Sequence, residues 1–190
     1  MSGRPLPSHV VGIDDAPFDR QARARVRVVG TVYAGTRLDG VLSSTVARDG
    51  DDATRAIAAM VRRSRFAAQV QLVMLQGIAV AGFNVIDIHR LSRALGVPVL
   101  VVARRMPDLR SIETALRGGV RGGDRKWAAI VSAGVMEPAQ GLVVQRVGLS
   151  LAVAEAVIAR LAIHGKLPEP LRVAHLIAGG IGRGQSRGRA

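Results

Sequence analysis

The run Val10-Val11-Gly12-Ile13 stops at two adjacent carboxylates, Asp14 and Asp15. A short, largely β-branched apolar run predicts a buried strand over residues 10–14. Acidic side chains are rarely buried alone, so a carboxylate at the inner end of a core strand needs a cation or a donor beside it. Side chains alternate along a strand, so Asp14 and Asp15 face opposite sides of the sheet, one into a site and the other away. In a chain as basic as this one, such a carboxylate suits a divalent metal held near a phosphate.

The basic character is pronounced: the formal net charge is +13, and Lys126 and Lys166 are the only lysines among 27 basic residues. Part of this reflects a general preference for arginine. The excess over 14 acidic residues nevertheless points to a polyanionic partner, most often nucleic acid. The chain has no cysteine, which excludes disulfides, thiolate zinc sites and cysteine nucleophiles. No apolar run approaches the roughly 18 residues of a spanning helix, and the polar, Pro-rich start lacks a signal core. The expectation is a soluble, cytoplasmic protein with no membrane partner. Few aromatics argue against a broad base-stacking platform.

Along the chain, strands are expected at residues 10–14, 26–33 and 37–47, the last two as a hairpin. An acidic loop, Arg48-Asp49-Gly50-Asp51-Asp52, leads into a helix over 53–65 that Asp51 or Asp52 can cap. Nearly all-apolar runs at 70–75 and 97–103 read as central parallel strands. Helices are expected at 83–95, 109–116, 124–133, 150–163 and 168–181, with a short strand at 141–147. This order predicts an α/β fold of ribonuclease H-like type: a mixed five-stranded sheet, three antiparallel and two parallel strands, helices on both faces, and an extra C-terminal strand and helices. Residues 10–181 would form one domain between a flexible tail at 1–9 and a mobile basic tail at 182–190.

In such a fold, carboxylates from separate elements converge, and a pair of divalent ions can activate water and stabilise the leaving oxygen. Asp14 fits the first strand's contribution, and Asp49 and Asp52 fit the start of the helix after the third strand. The fourth strand ends in Gln76, whose amide oxygen can ligate magnesium but adds no charge. Asp87, on the next predicted helix, is the substitute. Each has a plainer role: a strand-end hydrogen bond for Asp14, a turn before Gly50 for Asp49, a helix cap for Asp52 and an exposed helix position for Asp87. His175, alone on a helix, reads as packed or surface rather than as a ligand.

Several blocks resemble the endonuclease dU family, which is related to endonuclease V. They are Val11-Gly12-Ile13-Asp14-Asp15-Ala16-Pro17-Phe18, Asp49-Gly50 with Asp52-Ala53-Thr54, and Gly77-Ile78 with Gly82-Phe83-Asn84-Val85-Ile86-Asp87. Pro98-Val99, Arg104, Pro107-Asp108-Leu109 and Pro168-Glu169-Pro170-Leu171-Arg172-Val173-Ala174-His175-Leu176-Ile177-Ala178 add to them. The resemblance implies a ribonuclease H-like fold and cleavage of DNA at deoxyuridine, with Mg2+ or Mn2+ as cofactor. It makes Asp14 the central metal ligand and Asp49 or Asp52 the second carboxylate. Gln76-Gly77 stands where the related pattern has Asp-Gly, and Arg104 or Arg105 where it has a lysine.

The first expectation is therefore a metal-dependent DNA-repair endonuclease with Asp14, Asp49, Asp52 and Asp87 as catalytic residues, the first three binding metal. Asn84, Arg104, Arg105 and Arg172 would contact nucleic acid, DNA and possibly RNA. The alternative is a non-catalytic nucleic-acid-binding protein on the same fold, motivated by Gln76 and the missing lysine.

Overall fold

The computed structural model describes residues 5–19 and 25–186. The expected tail residues 1–4 and 187–190, and the connection at 20–24, lie outside the described residues. A seven-stranded mixed sheet runs in the order β3-β2-β1-β4-β7-β9-β8. Its strands are β1 (His9–Asp15), β2 (Val26–Ala34), β3 (Arg37–Val46), β4 (Leu72–Gln76), β7 (Val99–Ala103), β8 (Glu137–Ala139) and β9 (Leu142–Val147). The antiparallel β1, β2 and β3 join the parallel β4 and β7, which is the expected ribonuclease H-like core. Antiparallel β9 and β8 extend it beyond β7. Strand β8 was not expected from sequence. It carries Pro138, and proline is tolerated at a sheet edge because no ladder donor is needed there.

Helices cover both faces. Val11 and Ile13 of β1 and Val73 and Leu75 of β4 pack toward α1 (Ala53–Arg62) and α2 (Ile88–Leu95). The alternate residues Val10, Leu72 and Met74 pack toward α5 (Leu151–Leu161) and α6 (Glu169–Arg183). Helices α3 (Leu109–Arg117) and α4 (Gly123–Ser132) share a smaller core with Val85.

The helix expected over 83–95 is shorter than the apolar pattern suggested. Residues 79–80 and 84–85 form a separate hairpin, β5 (Ala79–Val80) and β6 (Asn84–Val85), and α2 begins only at Ile88. The cause is local: Ala81 and Gly82 take φ of 50° and 83°, which turns the chain back before a helix can start. Asp87 then caps α2, its side chain accepting from the Arg90 amide.

Two glycines set the position of α6. A Cβ on Gly12 would lie 2.3 Å from the Pro170 carbonyl carbon, and one on Gly182 would lie 3.0 Å from the Pro17 oxygen. The helix therefore touches β1 near its start and the segment after β1 near its own end. Thr31 adds a buried 2.6 Å hydrogen bond from its hydroxyl to the Pro170 carbonyl. Helix α6 runs to Arg183, two positions past the domain end expected at 181.

Candidate active site

Strand alternation separates the two carboxylates as expected. Asp14, 5% exposed, lies on the α6 side of β1. His175 Nδ1 lies 2.8 Å from Asp14 Oδ2. A carboxylate can only accept here, so Nδ1 carries the proton and donates it. That hydrogen bond raises the pKa of His175; burial opposes the rise, the Asp14 charge assists it and the charge of Arg104 resists it. The packing of α6 against Gly12 places His175 over a carboxylate two residues further along β1.

Beside Asp14 is the end of β4. Ile13 pairs with Leu75 in the parallel register, so Asp14 and Gln76 follow as the next residues on adjacent strands. The Gln76 Oε1 atom is buried and has no hydrogen-bond partner among the described residues. An acceptor oxygen without a donor, next to a carboxylate, is a suitable place for a cation. The donor set thus fits one divalent ion with a single charged protein ligand, Asp14, and a neutral one, Gln76. Magnesium accepts few protein ligands and keeps waters. Among the described residues no three His, Cys, Asp or Glu side chains come together in a way that could hold a metal ion.

Asp15 faces the other side. Its Oδ2 accepts from the Ala81 amide at 2.9 Å. Burial raises its pKa to about 6; the Ala81 hydrogen bond opposes this and the neighbouring Asp14 charge adds to it. Asp49 holds the same strap from below: its Oδ1 accepts from the Phe83 amide at 2.8 Å, and its own amide donates to the Ala81 carbonyl at 2.9 Å. Asp49 Oδ2 pairs with Arg48 at 3.3 Å. Buried Lys126 donates to the Asp49 carbonyl at 2.6 Å, and its pKa is lowered mainly by desolvation.

Asp52 stands at the cap position of α1 without a side-chain capping bond to the helix. Its carboxylate accepts instead from the Ala47 amide at 3.0 Å, Asn84 Nδ2 at 2.7 Å and Arg25 at 2.9 Å. Burial works to raise the Asp52 pKa, but these donors outweigh it and the net shift is downward. The α1 capping role passes to Asn84, whose Oδ1 accepts from the Ala53 amide at 3.0 Å. Asn84 is fully buried and bonded within the fold, so it ties β6 to α1 rather than reaching a phosphate. Asp87 is occupied as the α2 cap, so the sequence-derived quartet does not gather around one point. Arg172 forks onto buried Glu169 at 2.6 and 2.8 Å.

Sequence reasoning discounted His175, which is the nearest titratable partner of Asp14. The usable signal was the block around it: Pro170 and His175 share one helix, and Gly12 and Asp14 share one strand, with matching separations. Arg104 and Arg105 sit where expected, just beyond the end of β7.

A sequence profile of the endonuclease dU family matches residues 7–182. A UPF0215 protein from Deinococcus radiodurans is 54% identical over 97% of this chain and 94% of its own. A crystal structure of a protein of unknown function from Archaeoglobus fulgidus superposes with a TM-score of 0.86 at 35% identity, covering 92% of this chain and 98% of that one. Endonuclease V from Ciona intestinalis, solved with a 24mer DNA containing an inosine followed by a ribo-adenosine, gives a TM-score of 0.54 at 11% identity, covering 88% of this chain and 82% of that one. That last likeness is one of fold, and the fold is ribonuclease H-like. No helix among the described residues is long and apolar enough to cross a membrane. With a profile spanning nearly its whole length and relatives that match end to end, the chain belongs to the endonuclease dU family.

Proposed function

We propose that this protein is a metal-dependent endonuclease that cuts DNA at or near deoxyuridine, in repair of deaminated bases. The observation that carries the reading is the meeting of Asp14, His175 and the unpartnered Gln76 Oε1 at the ends of β1 and β4. Family membership supports the reaction class. Asp14 and Gln76 would hold Mg2+ or Mn2+, which would supply Lewis-acid stabilisation of phosphate charge and a more acidic water. His175 fixes the Asp14 carboxylate through Oδ2 and keeps a proton at Nδ1. Arg104 and Arg105 bring positive charge to the phosphate side. Asp49 and Asp52 act by holding the strap that packs behind Asp15.

The test is a nicking assay on uracil-containing, inosine-containing and undamaged duplexes with Mg2+ or Mn2+. Cleavage of the uracil substrate by wild type, and none by Asp14→Ala, is the expected result. Absence of cleavage with every substrate and either metal would sink the reading.

One observation favours a second reading, a non-catalytic nucleic-acid binder: among the described residues no three-carboxylate metal group forms. It predicts salt-sensitive DNA binding without strand scission under any metal condition.

A further inference from the structure

A cleft of about 720 Å³ opens between the end of β7, the β8–β9 turn, the α5–α6 loop and α6. Every ionisable side chain lining it is basic or a histidine: Arg104, Arg105, His164, Lys166 and Arg172. Leu176, next to His175 on α6, is part of its wall, so the cleft borders the Asp14 site.

These cations are not equivalent. Arg172 is forked onto Glu169, which is 4% exposed and also pairs with His164 at 3.1 Å. That network pins the α5–α6 loop to the start of α6, and buried Leu167 anchors the loop's far end. Lys166 is thereby presented from a fixed loop. Its ammonium crosses Gly141, where a Cβ would stand 3.3 Å from Nζ, and Gly141 itself needs its φ of 72°. Among the described residues neither Lys166 nor Arg105 forms an ion pair, and both are exposed. Solvated Lys166 and Arg105 at the walls of one cleft match successive phosphates of a nucleic-acid backbone. A cleft of about 720 Å³ has room for a few nucleotides of one strand and not for the paired strand beside it.

We propose that this cleft is the track for one nucleic-acid strand leading to Asp14, with Lys166 and Arg105 as its phosphate anchors and Arg172 as a wall that holds the loop. The strand enters opened or single-stranded, and the duplex remainder stays outside. The proposal rests on the nucleic-acid reading of the site above and adds which surface carries the strand.

The experiment measures binding of a fluorescein-labelled single-stranded 20-mer, and of the same sequence as a blunt duplex, in EDTA across a salt series. Lys166→Gln and Arg105→Gln are each expected to weaken single-strand binding about five- to tenfold at every sequence and to lower the salt slope by roughly 0.7. Lys166→Arg is expected to bind as wild type, and Arg172→Gln to lower Tm while leaving the salt slope near that of wild type. Wild type is expected to prefer the single strand. Unchanged affinity and slope in both Gln variants would overturn the track, and equal affinity for duplex would overturn its one-strand character. Because the assay contains no metal, it separates two failures. Loss of binding in Lys166→Gln alongside no cleavage by wild type keeps the cleft and removes the nuclease. Uracil cleavage by wild type with unaltered binding in both Gln variants keeps the nuclease and removes the cleft.

Discussion

Asp14 and Asp15 are neighbours in sequence, yet the two faces of β1 treat them differently. On the α6 face, Asp14 meets a titratable ring and an amide oxygen left without a donor. On the opposite face, Asp15 and Asp49 accept backbone amides of one strap, and Asp52 is enclosed by Asn84, Ala47 and Arg25. Carboxylates that hold backbone amides stabilise a shape and have little capacity left for a ligand. A carboxylate held by a side chain beside an open acceptor can exchange partners. On the proposed reading, chemistry belongs to the α6 face and scaffolding to the other.

The strongest way to break this contrast is Asp14→Ala against Asp49→Ala. The first is expected to reduce nicking of uracil DNA to background, a loss of at least about 1000-fold. The second is expected to lower Tm and leave single-turnover cleavage of the folded fraction near wild type. Equal losses of cleavage would erase the distinction between the faces. Gly12→Ala comes next, because its methyl meets the Pro170 backbone rather than a flexible side chain. Urea unfolding should show about 3 kcal/mol of destabilisation, with the His175–Asp14 contact weakened in parallel. His175→Ala should cost about 10–100-fold in cleavage, as removal of a group orienting a metal ligand does, and should lower Tm because buried Asp14 loses its donor.

Asp87→Ala sharpens the comparison from the other direction. Loss of the α2 cap should cost about 1 kcal/mol with cleavage unchanged; a catalytic defect would restore Asp87 to the site. The pH dependence of the metal-free protein completes the comparison. Asp15 has its folded pKa raised from 3.8 to about 6, so the folded state binds its proton more tightly than the unfolded chain does. Stability from this group is therefore greatest at acid pH and falls as pH rises from about 4 to about 6. His175, also raised, adds stability that is present below its unfolded value near 6.5 and is lost as pH climbs through the folded value. Thermal melts in EDTA should show wild type losing Tm relative to Asp15→Asn as pH rises through the lower window, by several degrees.

Much of this was legible in the sequence for simple reasons. The apolar runs at β1, β4 and β7 are buried on both faces, so they read as strands without periodicity. Asp14 ends such a run, and alternation alone separates it from Asp15. The region between residues 77 and 87 was not legible: strands of two residues have no period to detect, and the turn depends on Ala81 and Gly82 with positive φ. Asn84 reads from sequence as a nucleic-acid contact because nothing local shows that the start of α1 lies against it. His175 and Asp14 are separated by 161 positions, so their pairing appears only once α6 has packed on β1.

That separation has a temporal consequence. The strand bearing Asp14 leaves the ribosome 161 positions ahead of the histidine that completes its surroundings. Chains fold as segments emerge, and contacts of large sequence separation form late because their loop-closure entropy must first be overcome. A nascent or C-terminally shortened chain therefore carries Asp14 without His175, and with Gly12 exposed where Pro170 should rest. On the proposed reading, competence to act on nucleic acid would await the docking of α6 on β1, and proteolytic clipping before α6 would remove it in a single cut.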